Sequence, residues 1–430
     1  MSTTALPSPE IPIGDVQDIY FEALEGYRPG HYHPVHIGNL LDGGRYTVVR
    51  KLGHGTFSTV WLARDTKKKE YVAIKILISS AGVGDEPILT DLFKRKPIQA
   101  PVYVTDFLRS FELDGPNGHH MCLVFEPMGP NIKHRLYQLP QFQTPIASVT
   151  KIGYPIWMTR SILKHSLQAL AFLHSAGIAH GDFHQGNLLF HCDISKIEDE
   201  AKDLQPVFPI TPPPDGTQYQ HSPLYRCNAR PLKSSMGTIH DFKNIKLCDL
   251  GSSISIPVAN YLTAHFFNSP PGRAKLPPEL QAPEILLTGF ANDTVDIWSF
   301  GCMIFELITG CSLFSLHWSP QVDKRDNVLL NIFKIIGPFP NELRRRWSER
   351  HMILNLKGQF VNAPWLAGEF GCIETRWELE TFFEMKKPTG IDRNEAREIQ
   401  LLLRRIFQYD PAERPSAAEL LQEPWFARTD

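Results

Sequence analysis

The sequence predicts a two-lobed α+β chain, a small β-rich lobe followed by a larger α-rich one. Strand-type alternation runs from Tyr46 to Ala63 around a Gly-rich turn and resumes over Tyr71–Ile78 after a charged turn, Asp65–Glu70. Helical spacing of apolar residues (Ile162, Leu163, Leu167, Leu170, Ala171, Leu173) comes only later. Strands first and helices afterwards segregate into separate layers. The 430 residues also exceed the roughly 250–300 at which one core stops growing.

Taken in order, the first fifteen or so residues are polar and Pro-rich and are expected to be a loose tail. Met121–Phe125 is a further short apolar strand. Trp157–His174 is expected to be helical, Met303–Thr309 to be part of a buried helix, and Glu395–Phe407 to be an amphipathic helix. A short terminal helix is expected to begin near Ser416. Between about 193 and 243 a Pro-rich stretch without periodicity (PVFPITPPPDG) predicts an inserted loop, at least partly disordered.

Composition excludes several classes. Apolar content of 42% and charged content of 21% are near globular averages. A net charge of -2 supplies no overall basic field for nucleic acid or an anionic membrane, so neither is an expected partner, and a monomer is expected. No apolar run reaches the roughly 18–20 residues that span a bilayer. The start, MSTTALPSPEIPIG, has neither the basic-then-apolar order of a secretory signal nor the Arg-rich character of a transit peptide. Seven scattered cysteines without a CxxC pair fit a reducing compartment, cytoplasm or nucleus. His191 and Cys192 are adjacent, but no spaced partner follows that would complete a zinc site.

The chemistry begins at Gly53-His54-Gly55-Thr56-Phe57-Ser58-Thr59-Val60, where glycines let backbone N–H groups approach a phosphate. Alone it is equally a plain hairpin. Val72-Ala73-Ile74-Lys75 ends an apolar strand on a lysine that could reach phosphate oxygens, though an edge-strand lysine reads the same way. His180-Gly181-Asp182 with Asn187 five residues after the aspartate is a spacing in which Asp182 could accept a hydroxyl proton and Asn187 could hold a magnesium ion. Leu247-Cys248-Asp249-Leu250-Gly251 offers a carboxylate at a strand end that suits a second magnesium ligand. Ala282-Pro283-Glu284, Asp296-Ile297-Trp298-Ser299-Phe300-Gly301 and Arg414 follow. A Glu284–Arg414 ion pair and an Asp296 contact to the catalytic-loop backbone are expected. Each carboxylate alone is more often solvated surface; their order along one chain removes that explanation together.

In that order the motifs resemble those of the eukaryotic protein kinases from about Tyr46 to Phe426, and within them the SR-protein kinase (SRPK) family and its short fungal members. The closer likeness lies in four features. These are Leu24-Glu25-Gly26-Tyr27-Arg28-Pro29-Gly30 with His33-Pro34-Val35, the serine-containing Gly loop running into Trp61-Leu62, the DLG form of the metal motif, and the position of the insert. The resemblance implies a bilobal kinase fold, with a tail and lead-in over 1–45, a small lobe over 46–128 and a large lobe over 129–430. A further large-lobe insertion falls at about 311–395. It implies transfer of phosphate from ATP, with Mg²⁺, to serine or threonine of proteins, Arg/Ser-rich ones among them. Asp182, Lys75, Asn187 and His184 would be catalytic, and Asn187 and Asp249 would hold the metal. Leu52, Gly53, His54, Gly55, Thr56, Phe57, Ser58, Val60, Ala73 and Lys75 would surround the nucleotide. Glu126 and Met128, after a gatekeeper-like Phe125, would offer backbone hydrogen bonds to adenine.

Four positions depart from the family pattern. Gly181 stands where an arginine usually binds a phosphorylated activation loop, which predicts activity independent of that phosphorylation. His184 stands where a lysine usually meets the γ-phosphate, and imidazole is largely neutral at pH 7. The tract His180–Asn187 also looks like the loop of aminoglycoside and choline phosphotransferases. The acidic partner of Lys75 is open among Asp85, Glu86 and Asp91, with Pro87 suited only to a first helical turn. Gln281 replaces an arginine of the fungal relatives. A catalytically impaired binding module and a small-molecule phosphotransferase therefore stand as alternatives.

Overall fold

The computed structural model describes residues 21–84, 86–94, 103–133, 153–192, 194–203, 207–209, 225–227, 229, 231–232, 245–255, 276–289, 291–314, 323–348 and 378–428. The expected N-terminal tail and Asp85 lie outside these residues. The chain divides into two compact units: Met1–Arg95, Thr105–Pro130 and His191–Met236 form one, while Lys96–Val104, Asn131–Phe190 and Gly237–Asp430 form the other.

In the first unit, strands β1 (Leu40–Leu41), β2 (Tyr46–Gly55), β3 (Ser58–Asp65), β4 (Glu70–Leu77), β5 (Phe107–Gly115) and β6 (Gly118–Phe125) make an antiparallel sheet in the order β1-β2-β3-β4-β6-β5. Side chains alternate across a strand, so register sorts them into two faces. Val60 lies opposite Lys75 and Lys75 opposite Leu123, while Leu62 lies opposite Ala73 and Ala73 opposite Phe125. Val60, Ala73, Lys75 and Phe125 therefore share one face. Trp61, Val72, Ile74, Ile76, Cys122 and Val124 share the other, packed as a dry core. Strand β5 escapes the sequence pattern because it is an edge: Arg109, Ser110 and Glu112 interrupt its apolar residues, and Leu108 is exposed. The helix Glu86–Lys94 is nine residues long with Pro87 in its first turn, and turns Leu89 and Leu92 inward.

The insert, expected as a loop at least partly disordered, carries regular structure among its described residues. Ile194–Lys202 is a helix, and Val207–Pro209 pairs antiparallel with Tyr225–Cys227. Cys192, Ile197 and Leu232 close over Leu62, with Val49, Leu52 and Tyr71 against them. Buried Arg50 donates to the carbonyls of Glu200 (3.3 Å) and Pro231 (2.9 Å), and Cys192 Sγ reaches the Pro127 carbonyl at 3.1 Å. The insert thus groups with the sheet, not with the helices that precede and follow it. Its apolar residues are spaced for one short helix, too brief a repeat to register beside the Pro-rich text.

The second unit is built on the helices Ile156–Ser175, Thr294–Thr309 and Arg393–Ile406. Thr294–Thr309 is buried along almost its whole length and stops at Gly310, whose φ of 69° closes the last turn. Ser416 and Glu419 form a reciprocal capping box that starts the short helix Ala417–Leu420. Within the expected second insertion, Lys324–Ile335, Asn341–Arg346 and Leu379–Lys386 are helical, and Trp347 Nε1 donates to Asp326 at 2.8 Å.

Candidate active site

In the second unit, two short strands, Leu188–Phe190 and Ile245–Leu247, pair antiparallel with Leu188 opposite Leu247. Asn187 and Asp249 extend from the ends of that ladder. The Cys248 N–H donates to the Asn187 carbonyl at 2.9 Å, tying the two segments together. Asn187 Nδ2 donates to the Asp182 carbonyl at 2.9 Å. With its amide nitrogen so used, the amide oxygen is the atom suited to a metal.

Asp296, fully buried on the long central helix, accepts from the His180 N–H (2.7 Å), the Gly181 N–H (2.9 Å) and His174 Nε2 (2.9 Å). Gly181 has φ 73°, a left-handed conformation that costs glycine nothing. His180 Nδ1 accepts from the Asp182 N–H at 3.2 Å, so Nε2 carries the proton and donates to the Cys248 carbonyl at 3.0 Å. His180 thereby links the catalytic loop to the Asp249 segment.

Asp182 Oδ1 is buried and accepts no hydrogen bond among the described residues. His184 Nε2 lies 3.5 Å away, too far for a good bond, while its Nδ1 accepts from the Gly186 N–H at 2.9 Å. An oxygen left without a donor is placed to accept a hydrogen bond from a hydroxyl. Asp249 adopts φ 63°, sparsely populated for a non-glycine residue, and Oδ1 takes the Gly251 N–H at 3.2 Å. Among the described residues no three His, Cys, Asp or Glu side chains converge on a metal position. Two protein ligands suit Mg²⁺ nonetheless, because it fills its remaining positions with water and phosphate oxygens.

The expected anchors are in place. Arg414 Nη1 and Nη2 donate to the two Glu284 oxygens at 2.5 and 2.7 Å with both side chains fully buried. Gln281 Nε2 donates to the Leu276 carbonyl at 2.6 Å, which gives this departure a local structural task. Cys248 is half-buried.

Sequence reading missed a carboxylate beside the loop, Glu306, whose helix position looked like core. Burial pushes its carboxyl up, and Glu279 adds to that; a hydrogen bond from Gln185, with Lys133 and His184 nearby, pulls back. Only the fold brings Glu306 and Gln185 together.

In the first unit, the Gly53–Ser58 turn joins β2 to β3, with Gly55 opposite Ser58. Gly55, Thr56 and Phe57 are exposed at its tip, and His54 precedes them. Val60, Ala73 and Lys75 lie on one sheet face with Phe125, and Leu52 packs toward the insert cluster. Glu126 exchanges hydrogen bonds with Asp106: its N–H donates to the Asp106 carbonyl at 3.1 Å, and Oε1 accepts the Asp106 N–H at 2.7 Å. Its carbonyl is then the backbone group suited to adenine. Met128 is buried. Of the three candidate partners of Lys75, Glu86 accepts from Thr90 (2.6 Å) and Ser110 (3.0 Å), and Asp91 is exposed.

Comparison with known proteins agrees with this geometry. The protein kinase domain profile matches residues 46–200 and 230–426, skipping part of the insert. The serine/threonine-protein kinase SRPK of Physarum polycephalum is 29% identical over 427 residues, 96% of this chain and 93% of that one. Protein kinase dsk1 of Schizosaccharomyces pombe is 25% identical, with 94% and 84% covered. A crystal structure of a kinase domain superposes with a TM-score of 0.60 at 22% identity, covering 92% of this chain and 98% of that one, a likeness of fold. No helix among the described residues is long and apolar enough to cross a membrane. The reading as a catalytically impaired module finds no support in relatives named as kinases. With a catalytic loop, a metal-motif strand and buried anchors arranged as the motif order required, and with the matching profile spanning most of its length, the chain belongs to the protein kinase family, as an ATP-dependent serine/threonine kinase of the SRPK type.

Proposed function

We propose that the chain phosphorylates serine in Arg/Ser-rich segments of proteins, with Asp182 as the general base. The observation that carries the chemistry is the buried Asp182 Oδ1, which accepts no hydrogen bond among the described residues, beside Asn187 on a loop clamped by Asp296. Asp182 takes the proton from the substrate hydroxyl as that oxygen bonds the γ-phosphorus and the bond to the ADP oxygen breaks. Asn187 and Asp249 would hold Mg²⁺, which when bound neutralises charge building on the phosphate oxygens. Lys75 and the N–H groups of Gly53–Ser58 would bind the phosphates, and Val60, Ala73 and Leu52 would pack on the purine. His184, with Nε2 directed toward Asp182, would be the polar contact near the transferred group. The small lobe would span 46–128 and carry the insert at about 193–243, and the rest of 129–430 would form the large lobe, in a monomer working in cytoplasm or nucleus.

Glu306, half-buried and hydrogen-bonded by Gln185 of the loop, would be a candidate contact for a substrate arginine, whose guanidinium offers paired donors and a fixed charge.

The test is γ-phosphate transfer from Mg-ATP to an Arg/Ser-repeat peptide, to its Ala/Ser counterpart, to a generic basic protein and to choline, with Asp182→Ala alongside. Transfer to the Arg/Ser peptide that vanishes in Asp182→Ala and weakens on the Ala/Ser peptide is expected. Equal use of both peptides would remove the arginine preference, and transfer to choline alone would overturn the protein substrate.

A further inference from the structure

The phosphate-binding turn is a glycine-rich tip whose backbone needs outside support to hold one shape. A Cβ added at Gly53 or Gly55 would meet nothing within 4 Å, so the turn is not packed from its own sides. Two bonds reach it. The Ile78 N–H donates to the Phe57 carbonyl at 2.9 Å. The Tyr32 hydroxyl donates to the Gly55 carbonyl at 2.7 Å, with the Thr56 carbonyl 3.4 Å away.

Tyr32 belongs to the lead-in segment before the sheet, and that segment is itself fixed. Glu22 and Lys51 form a buried ion pair, to which the Tyr27 hydroxyl also donates. Burial alone would raise the Glu22 carboxyl, but Lys51 and Tyr27 outweigh it and hold it low. Lys51 lies on β2 just before Leu52 and Gly53, so the segment grips the stem of the turn as well as its tip. The Tyr32 backbone is held at both ends: its N–H donates to the Gly26 carbonyl (3.0 Å), and its carbonyl accepts Asn117 Nδ2 (2.6 Å). Its ring is 6% exposed and packs edge-on to His31 (4.3 Å) and tilted to Tyr27 (5.7 Å). Gly26 leaves room for it, since a Cβ there would sit 2.5 Å from the Tyr32 ring.

We infer that Tyr32 is a positioning residue for the nucleotide, holding the phosphate-binding turn in its anion-accepting shape through the Gly55 carbonyl. The physical link is the planar trans peptide between Gly55 and Thr56. Its C=O and N–H point in opposite directions, so drawing the Gly55 carbonyl onto Tyr32 aims the Thr56 N–H away from the lead-in segment. A turn already set this way loses less conformational freedom when phosphate binds. The inference rests on reading Gly53–Ser58 as the phosphate cradle.

The experiment uses the full chain and compares wild type with Tyr32→Phe, Gly26→Ala and Gly53→Val. Tyr32→Phe removes only the hydroxyl; Gly26→Ala displaces the ring and keeps the hydroxyl, so either variant suffices if the other does not fold. The readouts are KM for Mg-ATP against kcat, affinity for Mg-AMP-PNP, amide exchange over 53–58, and melting temperature. Loss of one hydrogen bond is expected to raise KM for ATP and weaken Mg-AMP-PNP by about two- to tenfold. Exchange at the turn should quicken in both with kcat little changed, and melting should change little in Tyr32→Phe. If Gly53→Val weakens nucleotide binding while Tyr32→Phe and Gly26→Ala do not, the role of Tyr32 is overturned and the cradle stands. If none of the three does, the cradle reading falls, and with it this inference. A fall in melting temperature and kcat without quicker exchange at 53–58 would make Tyr32 merely structural and would also overturn it.

Discussion

Asp182 has two carboxylate oxygens, and the environment of Oδ1 decides its chemistry. Oδ1 is buried without a donor among the described residues, while the backbone on either side is held by His180 and Asn187. Asp182→Asn keeps the shape and removes the base, so kcat is expected to fall by roughly 10²–10⁴-fold. Affinity for Mg-AMP-PNP, measured by calorimetry, should hold. Gly181 makes a second residue-scale prediction. It contributes φ 73° and an N–H to Asp296 but no cation to gather a phosphorylated loop. Phosphatase treatment is therefore expected to leave turnover unchanged, and a large loss of activity would refute that independence. Asp182, Asn187 and Asp249 were legible in sequence because five-residue spacing and a strand-end position are local properties. The tautomer of His180 and the bond from Gln281 to the Leu276 carbonyl were not, because each depends on a group brought up by folding.

At the scale of elements, the pair Glu284–Arg414 joins the helix Pro283–Thr288 to the C-terminal segment across 130 positions of sequence. Arg414 also donates to the Gln408 and Thr294 carbonyls and stacks over Trp298 at 5.1 Å. Arg414→Met strands a fully buried carboxylate and is expected to cost about 3–5 kcal/mol in chemical denaturation. The double variant Glu284→Leu/Arg414→Met should recover much of that loss, since desolvated ions gain little over well-packed apolar groups. The lead-in segment carries a pH-dependent contribution. His33 and His120 meet edge-on at 5.0 Å; burial first, and the neighbouring ring second, bring His33 down to about 4, and burial likewise lowers His120. Unfolding releases His33 to its ordinary value near 6.5, so below that pH the unfolded chain binds a proton that the folded chain refuses. Its stabilisation is complete above about pH 6.5 and declines toward pH 4, by up to roughly 3 kcal/mol. Melting curves of His33→Gln should accordingly fall less steeply than wild type between pH 6.5 and 5. The periodic helices, such as Ile156–Ser175, were legible because each presents a long apolar stripe to the core. Strand β5 was not, because an exposed edge has no need of one.

For the whole molecule, the insert is the largest change from the sequence reading. It carries a helix and a strand pair, and seals Leu62 and Arg50 on the sheet of the first unit. Ile197 is 1% exposed in that seal, so Ile197→Ala is expected to destabilise the chain by about 2–4 kcal/mol, measured by chemical denaturation. A loss within a few tenths would mean that the insert is held elsewhere. By itself the sequence determined the two-lobed α+β class, the kinase motif order and the candidate residues for the chemistry. Those depend on strand and helix periodicity and on spacings of a few residues, which hold wherever the segment is placed. Only the tertiary structure decided that Gln185 meets Glu306 and that Tyr32 reaches the tip of the Gly53–Ser58 turn. Such contacts join segments tens to more than a hundred residues apart. They form because burying apolar faces brings those segments together, and no local spacing records which polar atoms then meet.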